Sequence, residues 1–181
     1  ARVAAGTLII EARKEPYPNP AYRAAETNPD NWKAMRPQAE YTAASLITLG
    51  KASWRYGRVE VRAKLPQGKG VWPAIWMMGI NRTEVGWPRC GEIDIMEFVG
   101  HTPNQVHATV HFPGADGKRR SSGAHLTTER PFDDFHVYAV EWTAERLVFF
   151  FDDRQVHRFD IDQAGSGEDN PFRKPHYLLI N

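Results

Sequence analysis

Cysteine is nearly absent, since Cys90 stands alone among 181 residues. A single cysteine excludes an internal disulfide and any cysteine-built zinc site, and leaves that thiol a packing role. No apolar run is long enough to cross a bilayer as a helix. Net charge is lacking too: 23 Lys and Arg against 22 Asp and Glu leave +1, with the signs interspersed. Neither a nucleic acid nor a membrane surface is therefore expected as a partner. No long segment holds a helical period, and no stretch repeats. No signal peptide is visible, but the chain opens Ala1-Arg2-Val3 without Met. A processed or excised product would look the same, so no compartment follows.

What is present is an ordinary globular share of hydrophobic residues, 41%, enough for one domain over 1–181 with a real core. Period-two patterns dominate. Thr7 to Ala12 reads as a first strand entered through a turn at Gly6. From Arg13 to Gln38 five prolines break the pattern and predict a long irregular loop. Its Tyr17, Tyr22 and Trp32 either pin it to the body or form a cleft rim. Tyr41 to Thr48 reads as a strand. Arg58 to Leu65 alternates strictly between charged and apolar residues, as a half-buried antiparallel strand does. Val71 to Met78 is an apolar strand with Trp72 and Trp76 on one face. Gln105 to Phe112 alternates again, placing His107, Thr109 and His111 together. Pro113 to Pro131 reads as a polar loop or poorly ordered edge. Phe135 to Trp142 is a strand, Arg146 to Ile161 a hairpin turning at Asp152–Gln155, and Tyr177 to Ile180 a last strand. Many short strands at this spacing predict an all-β sandwich or barrel, and a concave outer face would cradle an extended polymer.

The informative stretch is Gly91-Glu92-Ile93-Asp94-Ile95-Met96-Glu97-Phe98. Burying a carboxylate is costly unless it is paired or employed. Glu92 and Asp94 share a strand face, whereas Glu97 has the wrong parity. One extra residue, a β-bulge at Ile95-Met96, brings Glu97 round beside them. The Cα atoms of Glu92 and Glu97 then lie roughly 13 Å apart. Inward-leaning side chains reach the separation of about 5–9.5 Å that glycoside hydrolysis uses, without choosing between retention and inversion. Asp94 between them would split their proton affinities. A solvated strand face is the bland alternative. A cation site is another, although no Asp/Asn/Gly loop surrounds the acids. Trp72, Trp76 and Trp87 precede the acids within twenty-five residues, and aromatic faces suit the flat C–H faces of sugars. His107 and His111 are structural or solvent-facing by default, but they share the polar face of a neighbouring strand, from which one could hydrogen-bond a sugar or an acid. As a metal pair they lack an evident third ligand.

The Glu92-to-Glu97 motif resembles the laminarinase-type branch of glycoside hydrolase family 16. So do Tyr41–Leu46, Tyr56–Pro66, Gly70–Met77, Gly86-Trp87-Pro88 and Thr109–Phe112, in the same order. The resemblance implies a jelly-roll β-sandwich of two antiparallel sheets with a concave substrate cleft. It implies retaining hydrolysis with Glu92 as nucleophile, Glu97 as acid/base and Asp94 assisting. Trp72, Trp76, Trp87 and His111 match positions that line the family's cleft. The extra Met96 separates this form from lichenases and resembles laminarinases, agarases and carrageenases. The implied substrate is β-1,3-glucan, with an algal galactan as the runner-up and transglycosylation open. A non-catalytic glucan-binding module is the alternative from another class. Secretion to an extracellular or periplasmic space and a monomeric state are expected, and no cofactor is required. The family extends further at both ends, so a truncated sandwich is expected. Structural calcium in the family involves the termini and does not carry over to this chain.

Overall fold

The alternation fault at Ile95-Met96 and the uniform alternation of the neighbouring stretches set the architecture of a computed structural model. It describes residues 1–181, the side chain of Asp30 excepted. The described residues form two compact units, 1–45 with Asn181, and 46–180.

The first unit holds two short ribbons. β1 (Arg2–Ala4) pairs with β2 (Thr7–Ile9) across a tight turn, in which Ala5 and Gly6 both take positive φ. β3 (Arg13–Pro18) pairs with β4 (Gln38–Thr42). The stretch expected as irregular loop is therefore partly sheet. Proline is tolerated in an edge ribbon where its missing N–H faces outward, and the pairing slips between Lys14 and Tyr17. A 3₁₀ segment, Pro29–Ala34, lies between the two strands. Asn19 ties that connection together, its Nδ2 donating to the carbonyls of Lys33 and Arg36 at 2.6 and 2.8 Å. Tyr17, Tyr22 and Trp32 are exposed.

The second unit is a sandwich of antiparallel sheets. β5 (Leu46–Ile47), β7 (Ala74–Gly79), β8 (Glu92–Phe98), β9 (Gln105–Pro113), β10 (Arg119–Thr127) and β14 (His176–Ile180) make one sheet. Its order is β10-β9-β8-β7-β14-β5. β6 (Gly57–Ala63), β11 (His136–Trp142), β12 (Arg146–Phe151) and β13 (Arg154–Asp160) make the other, in the order β13-β12-β11-β6. The strand expected over Tyr41 to Thr48 is two strands, because β4 and β5 belong to different sheets. The expected polar loop Pro113–Pro131 contains β10, paired residue for residue with β9. Its inward residues Ser122, Ala124 and Leu126 are small or isolated among polar ones, so the alternation is weak on the page. One turn of helix, α1 (Arg82–Val85), interrupts the loop before β8.

The core fills the space between the sheets. Ile75 and Met77 of β7, Ile93 of β8 and Val110 of β9 face Val140, Leu147 and Phe149 of the second sheet. Burying one such side chain stabilises the fold by about 1.5–3 kcal/mol. Strict alternation in β9 buries Val106, Ala108, Val110 and Phe112 and leaves His107, Thr109 and His111 half-buried on the outer face. A second cluster, Met78, Cys90, Tyr177 and Leu179 with Trp76, packs apart from that core.

Candidate active site

β8 carries the expected bulge. Asp94 lies opposite Thr109 and Glu97 opposite His107, so Ile95 and Met96 together face the single residue Ala108. Both bulged side chains are buried in the core. Two aliphatic residues turned inward together thus return Glu97 to the outer face with Glu92 and Asp94. Glycines bracket the strand. A Cβ on Gly91 would meet Pro171 Cβ at 2.7 Å, and its φ is +76°. A Cβ on Gly100 would lie 1.9 Å from the Gly68 carbonyl oxygen. Both ends of the acidic strand are therefore clamped by close packing that a side chain would obstruct.

The three acids differ in setting. Asp94 is 3% exposed, and Glu92 and Glu97 are half-buried. Burial raises all three pKa values, since a desolvated carboxylate prefers its proton. Glu92 is pushed up to about 7 by burial and then by the Asp94 charge, against the lowering hydrogen bond from Trp87. Glu97 is raised by burial and lowered in part by Trp72. Asp94 is raised by burial, with His111 opposing. Glu92 and Asp94 share protons as a pair, so the affinity belongs to both.

Histidine and tryptophan complete the shell. His111 Nε2 sits 3.3 Å from Asp94 Oδ2, and this contact raises the imidazole pKa. The Trp72 indole N–H donates to Glu97 Oε1 at 3.0 Å. The Trp87 indole N–H donates to Glu92 Oε2. Trp76 stands opposite Asp94 on β7. Trp72, Trp87 and His111 are thus gathered at the acids as anticipated, but Trp72 precedes β7 instead of sharing its strand face with Trp76. Trp72 and Trp87 remain 63% and 43% exposed, enough ring to meet a ligand. His107, beside Glu97, pairs with His125 of β10 at a ring separation of 5.5 Å.

Arg119 was not anticipated. Its guanidinium lies 5.9 Å from the Trp87 ring centroid, as a cation over an aromatic face. It escaped notice with the rest of β10, whose only advance signal was the run of small inward residues. Ligand atoms of Glu92, Asp94 and His111 lie within 4.8 Å of one another, the spacing of a small cation site. His111 is engaged with Asp94, however, and Glu92 with Trp87. The group is therefore an acid cluster in which Glu92 is hydrogen-bonded, while Asp94 Oδ2 is buried with no hydrogen-bond partner among the described residues.

The family model described as glycosyl hydrolases family 16 matches residues 17–181. The beta-glucanase of Rhodothermus marinus is 44% identical over 190 residues, covering 100% of this chain and 59% of that protein. The glucan endo-1,3-beta-glucosidase of Cryptopygus antarcticus is 36% identical over 157 residues, covering 81% of this chain and 56% of that protein. The solved laminarinase from Rhodothermus marinus matches with a TM-score of 0.78 at 40% identity, over 99% of this chain and 67% of that one. The chain thus spans less than two thirds of the length of these two curated relatives.

Proposed function

The chain belongs to glycosyl hydrolases family 16, and from that premise we propose that it cleaves β-1,3-glucan internally with retention of configuration. The observation that carries the reading is the bulge that puts Glu92, Asp94 and Glu97 on one face of β8. The names of the relatives, a beta-glucanase and a glucan endo-1,3-beta-glucosidase, support the substrate.

In this reading Glu97, whose proton affinity burial raises, gives its proton to the glycosidic oxygen as the bond to the anomeric carbon breaks. Glu92 attacks that carbon and forms a glycosyl ester. Glu97, now a carboxylate, takes a proton from water, and the water oxygen displaces Glu92. Glu92 must be ionised to attack. The Trp87 N–H and the His111 charge favour its ionised form, against the burial and the Asp94 charge that raise its proton affinity. Trp72, Trp76, Trp87 and His111 contact the sugar. A polysaccharide does not cross a membrane, so the proposed place of work is outside the cytoplasm. The partner is the polysaccharide, and the reading needs no second subunit, nucleic acid or membrane.

The test is laminarin hydrolysis by the wild type and by Glu92→Gln and Glu97→Gln. Each variant should lose roughly 10²–10⁴-fold in turnover, the range for a group acting in the transition state. Azide should restore Glu92→Ala with an α-glycosyl azide product and Glu97→Ala with a β-glycosyl azide. Undiminished turnover in Glu92→Gln would falsify the assignment. Release of sugar from agarose or carrageenan but not from laminarin would move the substrate to a galactan.

A further inference from the structure

Each of the two end carboxylates of β8 receives one indole N–H, and the two donors approach from different segments of chain. Trp72, just before β7, donates to Glu97 Oε1. Trp87, in the loop after α1, donates to Glu92 Oε2. Platforms for a sugar need only the flat ring, whereas here the ring edges are aimed at the acids. We propose that these two tryptophans are positioning residues that decide which oxygen of each carboxyl group reacts, a role that rests on the roles given above to Glu92 and Glu97.

The argument starts from the donor. An indole N–H has no acceptor function, so it must meet an oxygen lone pair. In a protonated carboxyl group the carbonyl oxygen is the better acceptor, and the other oxygen bears the hydrogen. With Trp72 on Oε1, the Glu97 proton resides on Oε2, and that oxygen delivers it to the glycosidic oxygen. After transfer the charge spreads over both oxygens, and the Trp72 bond strengthens because its acceptor is now ionised. The interaction grows as the proton leaves, which is the condition for lowering the barrier rather than only binding substrate. On Glu92, the Trp87 bond engages Oε2 and leaves Oε1 as the attacking oxygen. As the ester to Oε1 forms, Oε2 becomes its carbonyl oxygen and keeps the same donor. Both bonds also oppose the rise in proton affinity that burial imposes on these acids.

Neither tryptophan is part of the buried core, so an isosteric change at either position leaves the fold in place. Replacing the indole with benzothiophene, through β-(3-benzothienyl)alanine at position 72 or 87, removes the N–H and keeps the ring. Trp72→Phe and Trp87→Phe, checked by circular dichroism, serve as the ordinary variants. Turnover is measured on aryl β-laminaribiosides with poor and good leaving groups.

Loss of the Trp72 donor should lower kcat by roughly 10–100-fold, the lower part of the range for proton transfer, on the poor leaving group. It should leave the dinitrophenyl glycoside, which needs no acid, within about threefold in the bond-breaking step. Loss of the Trp87 donor should lower that step about equally on both substrates, with KM little changed. Equal losses on both substrates at position 72 would overturn the role of Trp72. An effect confined to KM at either position would reduce that residue to a platform. The reading beneath fails separately: if Glu97→Ala cleaves the poor leaving group as fast as wild type, no acid exists for Trp72 to orient.

Discussion

At the scale of single residues, proton affinity around Asp94 governs the site, and His111 is its lever. The imidazole contacts Asp94, and its charge lowers the proton affinity of Asp94, Glu92 and Glu97. His111→Ala removes that cation, so both members of the Glu92–Asp94 pair hold their protons to higher pH. The acidic limb of the kcat/KM profile on laminarin should move upward, because more of Glu92 stays neutral at a given pH. An acidic limb that stays put or moves down would show that His111 acts only by contacting sugar. The cluster of acids was legible because a strand rarely places three carboxylates so close. The indole hydrogen bonds were not, since they depend on side-chain directions that spacing does not determine. Spacing suggested stacking faces, and the structure adds aimed edges.

At the scale of elements, the bulge in β8 is a placement device. Deleting Met96 restores plain alternation and leaves the glutamate on the outer face opposite His107, but it removes the local bend and extra twist that the bulge gives β8. The direction of its side chain, and with it the contact to Trp72, changes with that twist. The deletion variant should lose at least about 10²-fold in kcat/KM on laminarin, the scale of loss for a small misplacement of a catalytic group. It should also melt lower, because Met96 is buried in the core and losing such a side chain costs about 2–5 kcal/mol. Wild-type activity in a folded deletion variant would mean that the bulge does not position Glu97. The bulge could be read in advance because it breaks a strong alternation. β10 could not, since Ser121-Ser122-Gly123 carries no apolar face, and its pairing comes from β9. The β3–β4 ribbon was hidden by Pro16 and Pro18, which argue against a strand unless its edge is free.

At the scale of the whole molecule, two buried groups set opposite dependences of stability on pH. His176 is fully buried between Trp142 and Phe172, and its Nδ1 faces the Lys174 carbonyl oxygen at 3.0 Å. Burial holds its pKa down to about 4. The unfolded chain, near 6.5, therefore binds the proton first, and stability present above 6.5 is lost as pH falls towards 4. At about 1.4 kcal/mol per unit this comes to ~3 kcal/mol. Glu92 works the other way. Its folded pKa, about 7, lies above the unfolded value, so stability present at low pH is lost as pH rises through 4.5 to 7. Glu92→Gln should therefore be the more stable protein at pH 8 by urea unfolding, with the gap closing near pH 4. His176 is read separately from His176→Gln, in which the loss of stability between pH 6.5 and 4 should shrink, and an unchanged slope would sink the account of His176.

Cys90 gives the same molecule a built-in clock. Its thiol is fully buried, its Sγ lies 3.4 Å from Met78 Sδ, and burial raises its pKa. Met78 and Cys90 pack with Trp76, which stands opposite Asp94. A thiol reagent in solution can therefore reach Cys90 only while that patch is open. Its rate of modification divided by that of an exposed thiol gives the open fraction, and the logarithm of that fraction yields a local free energy. The chain's scarcest residue thus makes the ground beneath its acids measurable without adding a label.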